Sequence, residues 1–445
     1  MDRLLDSPSG RALAERYGRE RAKAALREAA ARWREMPGGG DATAAIVSDA
    51  EARLAARRPP GPVRVVNATG VLLHTNLGRA PLAAAAVEAA ARAAGFSTLE
   101  LDLPTGRRGR RAEHVRPLLL ELFAPGRANV DALAVTNAAA ALLLALDTVA
   151  NGKSVAVSRG ELVAIGGDFR VPSILAKSGA SLLETGTTNK TTPADYAEAL
   201  DAGAGAILKV RPSNYRIVGF TEEVALGDLA VLAHARGVPL VFDAGSGVPR
   251  RFAEPGLADE PVPLEALDLG ADLVCFSGDK VLGGPQAGIL LGRADLVGGA
   301  ARNPLARALR PDKLVLGALA ATLDLHLAGR SGEIPFFRMV SARVEALRRR
   351  AESLAARARA AGFEAEAVAS TAIAGGGAGA ESTLPSAAVA LRREGLTADA
   401  LAAALRAGAL PVVARIEDGR VFLDLRSVAE EEDAELGAAL DAVPR

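Results

Sequence analysis

The chain has 445 residues, 49% apolar and only 3% aromatic, with 53 basic side chains against 53 acidic ones. That length supports two or three domains and a large core, and the balanced charge confines any nucleic-acid contact to local patches. One cysteine permits no intrachain disulfide and fits a reducing compartment; the four scattered histidines have no metal-site spacing, and no apolar run reaches the roughly 18 residues of a membrane span.

The amino terminus, Met1-Asp2-Arg3-Leu4-Leu5-Asp6, is too charged for a secretory signal, so a cytoplasmic location is expected. Ser9-Gly10 precedes a helical pattern over residues 11–35, Met36-Pro37-Gly38-Gly39-Gly40 breaks it, and a second helix is predicted over about 42–58, stopping at Pro59-Pro60. Residues 1–36 carry nine Arg or Lys against six Asp or Glu, an excess that a solvated helix face would also produce. Residues 1–60 are expected to form a helical domain.

From residue 61 to about 325, apolar runs alternate with helical stretches. Strands are predicted at 132–135, 154–157, 181–184, 206–210, 239–243, 273–277 and 288–292. Such alternation implies a mostly parallel sheet covered on both faces. Thr136-Asn137-Ala138-Ala139 opens a helix directly after a strand; free amides and the helix dipole there favour an anion, though an ordinary capped helix has the same pattern. Asp243 follows Leu240-Val241-Phe242 and precedes Ala244-Gly245-Ser246-Gly247. At the carboxyl end of a strand it can keep a pyridine nitrogen protonated or simply cap a helix.

Lys280 lies in Phe276-Ser277-Gly278-Asp279-Lys280-Val281-Leu282-Gly283-Gly284-Pro285-Gln286-Ala287-Gly288, past one strand and before a glycine-rich turn. It is one of seven lysines in a chain whose other basic residues are arginine. A lysine amine can lose its proton and an arginine cannot, so Lys280 suits a Schiff base; a surface lysine is the plain alternative. Cradle, aspartate and lysine in this order match fold type I, aspartate-aminotransferase-like enzymes that use pyridoxal phosphate. Three arginine groups, at Arg79, at 107–111 and at Arg307 with Arg310, suit a phosphate-like dianion or a nucleic-acid backbone, or surface and subunit-interface ion pairs.

The tail, residues 326–445, shows strands at 386–391, 411–416 and 420–425 with a helix at 397–407, and Asp418-Gly419 is a hairpin signal. A small α/β domain is expected. Gly375-Gly376-Gly377-Ala378-Gly379 lacks the Lys-Ser or Lys-Thr of a phosphate loop and reads as a flexible connection.

Several motifs together are more specific than these generic parts: residues 66–80 from Val66-Asn67-Ala68-Thr69-Gly70 to Gly78-Arg79-Ala80, Ser158 to Gly167, Gly186-Thr187-Thr188-Asn189-Lys190, Ser213-Asn214-Tyr215 with Gly219-Phe220-Thr221, and Phe276 to Gly288. On them the chain resembles bacterial selenocysteine synthase, the L-seryl-tRNA(Sec) selenium transferase family, over nearly its full length. Asp2-Arg3-Leu4-Leu5 and Tyr17-Gly18 resemble that family's tRNA-binding domain. The family usually runs Asn-Asn-Asn where this chain has Thr136-Asn137-Ala138, and many relatives carry histidine at the position of Arg211.

The resemblance implies a reaction and a cast of residues. Seryl-tRNA(Sec) would lose its β-hydroxyl to a dehydroalanyl intermediate that takes selenium from selenophosphate. Lys280 would hold pyridoxal phosphate and act as base, Asp243 would pair with its ring nitrogen, and Asn137, Ala138 and Ser277 would seat its phosphate. Arg79, Arg110, Arg307 and Arg310 would receive selenophosphate, and Arg159 would stack on the ring. A homodecamer, a pentamer of dimers, is implied. A lyase of the same fold acting on a free amino acid, and a tRNA-binding protein with a decayed site, are the competing readings.

Overall fold

The computed structural model describes residues 2–35, 41–56, 61–165, 169–213, 215–253, 257–378 and 383–444. The breaks expected at 36–40 and 59–60, and Gly166, Gly167, Asn214 and Gly379, lie outside them. The chain forms two compact units, residues 1–64 and 65–445.

In the first unit the pattern expected as one helix over 11–35 is two, Pro8–Tyr17 and Arg19–Glu35, separated at Gly18. Gly18 has φ 89°, a left-handed value that ends the first helix. Ser7 caps that helix through the amide of Gly10. Leu13, Ala22, Leu26 and Ala29 face Ile46, Val47, Ala50 and Leu54 of helix Ala42–Ala56 across a small core.

The second unit holds a seven-stranded sheet. Its strands are β1 (Val130–Val135), β2 (Ser154–Ser158), β3 (Ser181–Thr185), β4 (Ala204–Val210), β5 (Leu240–Ser246), β6 (Leu273–Ser277) and β7 (Gly288–Arg293). The order is β1-β7-β6-β5-β4-β2-β3, with β7 antiparallel to both neighbours and the other pairings parallel. Strands β5 and β6 are buried on both faces, which is why they read as unbroken apolar runs rather than alternating ones. Helix Ala138–Ala150 fills one side of the sheet with Leu142, Leu144 and Leu146, and Phe123, Leu316, Leu319 and Leu323 fill the other. The carboxyl ends of the parallel strands share one edge, where open α/β sheets place their ligands.

A second sheet of five strands has the order Val66–Ala68, Val412–Glu417, Arg420–Asp424, Thr383–Arg392, Glu364–Ile373. The hairpin between the second and third turns at Asp418 (φ 47°) and Gly419 (φ 68°), the left-handed pair that a two-residue turn requires. Val66–Ala68 pairs in parallel with Val412–Glu417, so the segment just after the first unit joins the sheet of the tail. Buried Asp424 ties it there. It accepts from Ser370 Oγ (2.5 Å), Ser386 Oγ (2.6 Å) and Arg415 Nη1 (3.1 Å), and Arg415 also donates to Thr69 O at 3.2 Å. From this anchor the chain runs beside the end of Glu364–Ile373, with Leu72 N to Ile373 O at 3.0 Å and Leu73 N to Ala374 O at 2.8 Å.

Candidate active site around Lys280

Strand β6 stops at Ser277, and a tight turn places Lys280 at the carboxyl edge. Gly278 N donates to Ala287 O (2.8 Å), Gly284 N to Gly278 O (2.8 Å) and Gly283 N to Lys280 O (2.9 Å). Gly283 has φ 74° and a side chain there would meet Ile334, so the turn needs glycine. Lys280 is 5% exposed. Burial pulls its amine below the usual lysine value, Asp243 opposes the shift, Arg79 adds to it, and Asp279 and Glu260 oppose it.

His326 holds this turn from below. Its Nε2 donates to Leu282 O at 2.9 Å, leaving Nδ1 to accept from Ser331 Oγ at 3.0 Å, a fully paired neutral ring. Burial lowers its pKa from the ordinary 6.5. Below that pH the unfolded chain takes up a proton that the folded one resists, so stability falls with acidification until the folded ring also titrates. His326→Gln is expected to flatten this acid limb, read as urea midpoints at neutral pH and below the unfolded-state value; an unchanged limb would mean other groups cause it.

Asp243 lies on β5 beside Lys280's strand, 8% exposed, and burial raises its pKa while Gly245 N, donating to Oδ1 at 3.0 Å, and Lys280 oppose the rise. Two residues on, Gly245 has φ 68°, and a Cβ there would stand 3.9 Å from Lys280 Nζ and 3.8 Å from Ser213 Oγ. Ser213 is buried, and among the described residues its hydroxyl has no hydrogen-bond partner. Neighbouring Arg211 donates its backbone N–H to Asp243 O at 3.0 Å.

Asn137 caps helix Ala138–Ala150, accepting from Ala140 N at 2.8 Å, and helix geometry leaves the first amides, that of Ala138 included, without an intrahelical acceptor. Gly288 connects this cap to Ser277, because it pairs with Ser277 on one side and Val135 on the other. A Cβ on Gly288 would lie 2.0 Å from Asn137 O, so glycine is what lets the helix end approach the lysine turn.

Arg79 completes the group from the side of the smaller sheet. It has φ 64°, sparsely populated for a side-chain-bearing residue, and Nη1 donates to Asp279 Oδ2 at 2.9 Å. The expected flexible connection belongs here as well. Ala374, Gly375, Gly377 and Ala378 are buried, and a Cβ on Gly377 (φ 93°) would sit 2.4 Å from Lys280 Nζ. The glycine run is therefore a wall of the site, formed where Glu364–Ile373 turns back toward Thr383–Arg392; its glycines were the available signal, and the long-range partner was not.

The remaining predicted residues lie elsewhere in the chain. Arg110, Arg307 and Arg310 line a separate cleft of about 950 Å³ with Arg108, Arg111 and Glu100. Hydrogen bonds from Arg108 and Arg111 hold the Glu100 carboxyl below its usual range, and Arg310 Nη1 lies 3.6 Å from it. Beside this cleft, Thr136 N of the cradle donates to Leu309 O at 2.8 Å, and Leu305, Ala306 and Leu309 pack against the core that holds Val135 and Ala140. Arg159, on the turn after β2, is half exposed and donates to Glu184 Oε2 at 2.8 Å, so its guanidinium is engaged by β3.

Comparison with known proteins decides the family. The family model described as SelA: L-seryl-tRNA selenium transferase matches residues 65–429. The chain belongs to this family. Residues 1–34 match a further model, selenocysteine synthase N terminal. An L-seryl-tRNA(Sec) selenium transferase of Hyphomonas neptunium is 45% identical over 97% of this chain and 94% of its own length. One of Solidesulfovibrio magneticus is 47% identical over 85% and 82%. Among solved structures, D-glucosaminate-6-phosphate ammonia-lyase superposes with a TM-score of 0.61 at 22% identity, over 86% of this chain and 96% of that one. The architecture is that of fold type I, aspartate-aminotransferase-like enzymes. Among the described residues no helix is long and apolar enough to cross a membrane.

Proposed function

We propose that this SelA-family protein converts L-seryl-tRNA(Sec) to L-selenocysteinyl-tRNA(Sec), with pyridoxal 5′-phosphate as cofactor and selenophosphate as selenium donor. The observation that carries this is the buried Lys280–Asp243 pair, Asp243 on β5 and Lys280 in the turn after the neighbouring β6, with their charges interacting, in a chain related along 97% of its length to a protein of that name. The residues fit the cofactor: a buried lysine with a depressed pKa, a carboxylate one strand away, a capped helix end next to Ser277, and a buried Ser213 hydroxyl with no hydrogen-bond partner among the described residues. When bound, pyridoxal phosphate supplies an electron sink for charge developing at the α-carbon of the seryl group.

The chain's own residues do the rest. Lys280 would hold the cofactor through Nζ and would take the α-proton of the seryl group on the same nitrogen, whose protonated form burial disfavours. Asp243 holds the ring nitrogen, while the Ala138 amide, the Asn137 cap and Ser277 orient the phosphate. Arg79, already at the lysine turn, receives the selenophosphate anion. Arg110, Arg307 and Arg310 serve it from the cleft of another subunit in a homodecamer; their separation from Lys280 within one chain supports that arrangement. A stacking role for Arg159 requires its pair with Glu184 to open. Residues 1–60 act as the tRNA-binding domain, residues 61–325 as the cofactor domain and 326–445 as the small domain, in a cytoplasmic enzyme.

The test is mass analysis of the aminoacyl group after purified protein meets seryl-tRNA(Sec) and selenophosphate. Conversion of seryl to selenocysteinyl is expected. Consumption of free amino acids with no such conversion would establish a lyase instead.

A further inference from the structure

After β5 the chain returns to the carboxyl edge at Glu260, whose role neither the sequence motifs nor the reaction above supplies. Glu260 is 2% exposed. Its Oε2 accepts from Ser246 Oγ, at the end of β5, and lies 3.4 Å from Arg211 Nη1. Among the described residues its Oε1 has no hydrogen-bond partner, and neither has Arg211 Nη1. Both side chains line a cavity of about 800 Å³ at the ends of β4 and β5, together with Phe242, Lys209 and Tyr215. A carboxylate offers about four acceptor positions, and desolvating one that is only partly paired is unfavourable. What the site gains is a charge placed among fixed neighbours. Arg211 joins by its backbone to Asp243, and Ser246 pairs with Ser277, three residues before Lys280.

Resting on the assignment of Lys280 as the cofactor lysine, we propose that Glu260 is a positioning residue of this site: it holds Ser246 and Arg211, whose backbones flank Ser277 and Asp243, and sets a buried carboxylate, balanced by the Arg211 guanidinium, in the field of Lys280. The charged groups that act on Lys280 are Asp243 from β5, Arg79 from the loop after Val66–Ala68, Asp279 in its own turn, and Glu260. From the tail, uncharged Gly377 lies against the amine. Removing the Glu260 charge takes away one of the anions that favour a protonated nitrogen on Lys280. Removing the Arg211 charge leaves that carboxylate without its ion-pair partner and does the opposite.

The experiment is a pH titration of the visible absorption of the pyridoxal-phosphate-loaded protein, comparing wild type with Glu260→Gln and Arg211→Gln. Glutamine at 260 keeps the size and an acceptor for Ser246. Glu260→Gln is expected to lower the apparent pKa of the lysine-linked band by about one unit, a tenfold change in the ionisation equilibrium, and Arg211→Gln to raise it. A merely structural disturbance would not move the two in opposite directions. If wild type titrates and both variants superimpose on it, or shift the same way, the role of Glu260 is overturned. If wild type shows no lysine-linked band, the assignment of Lys280 itself fails.

Discussion

Lys280→Ala should bring conversion of seryl-tRNA(Sec) to background while leaving the protein folded. Two losses combine in this variant. The covalent link to the cofactor disappears, and with it the nitrogen that takes the α-proton, a positioned base being worth about 10²- to 10⁴-fold by itself. Folding should survive because the lysine turn is built from backbone bonds among Gly278, Lys280, Gly283, Gly284 and Ala287 and from His326 on Leu282 O, none of which uses the lysine side chain. Lys280→Arg is the sharper control. It restores length and charge but not an amine that can deprotonate, so it should be equally inactive. The measurement is the mass of the aminoacyl group, with cofactor content read by absorbance. Substantial selenocysteinyl product from either variant would remove Lys280 as the base.

The parts of the site legible in the sequence were those where chemistry sits at the end of an apolar run. Asp243 and Lys280 stood out because β5 and β6 are buried on both faces, so that a charged residue after them marks the carboxyl edge. The cap at Asn137 was visible because it follows the apolar end of β1 and opens a helical run. Strand Glu364–Ile373 was not predicted: Glu364-Ala365-Glu366-Ala367 alternates, but its residues are alanine and glutamate, which favour helix and lack the β-branched content of a strand, and its pairing with Thr383–Arg392 decides its state. Val66–Ala68 is too short to signal that its partner lies at residue 412. Arg159 shows the converse limit, since spacing after a strand cannot reveal that Glu184 on the neighbouring strand claims the guanidinium. The glycine run failed for want of a partner as well: from sequence it is a loop, and only the chain path brings it onto Lys280.

That contact makes Gly377→Ala the second large effect. A methyl group at 377 would stand 2.4 Å from Lys280 Nζ, 2.5 Å from Cε and 2.9 Å from Cδ, well inside van der Waals contact. The backbone adds its own penalty, because φ is 93° and a side-chain-bearing residue in a left-handed conformation costs about 1–2 kcal/mol. Either Lys280 leaves its place or residues 374–378 withdraw, and both outcomes separate the amine from Asp243 or open the site to water. Pyridoxal phosphate affinity is expected to fall at least about tenfold, equivalent to roughly 1.4 kcal/mol, with turnover falling further because the displaced lysine is also the base. Gly376→Ala is the matched control: its Cβ would meet only Thr75 Oγ1 at 3.1 Å, its backbone is not left-handed, and the residue is exposed. It should bind cofactor nearly as wild type does. Absorbance titration with pyridoxal phosphate measures both variants, and urea unfolding separates a loss of fold from a loss of site. Wild-type affinity and turnover in Gly377→Ala would mean that the wall yields without moving the lysine, and that the glycine there serves only the turn between the two long strands.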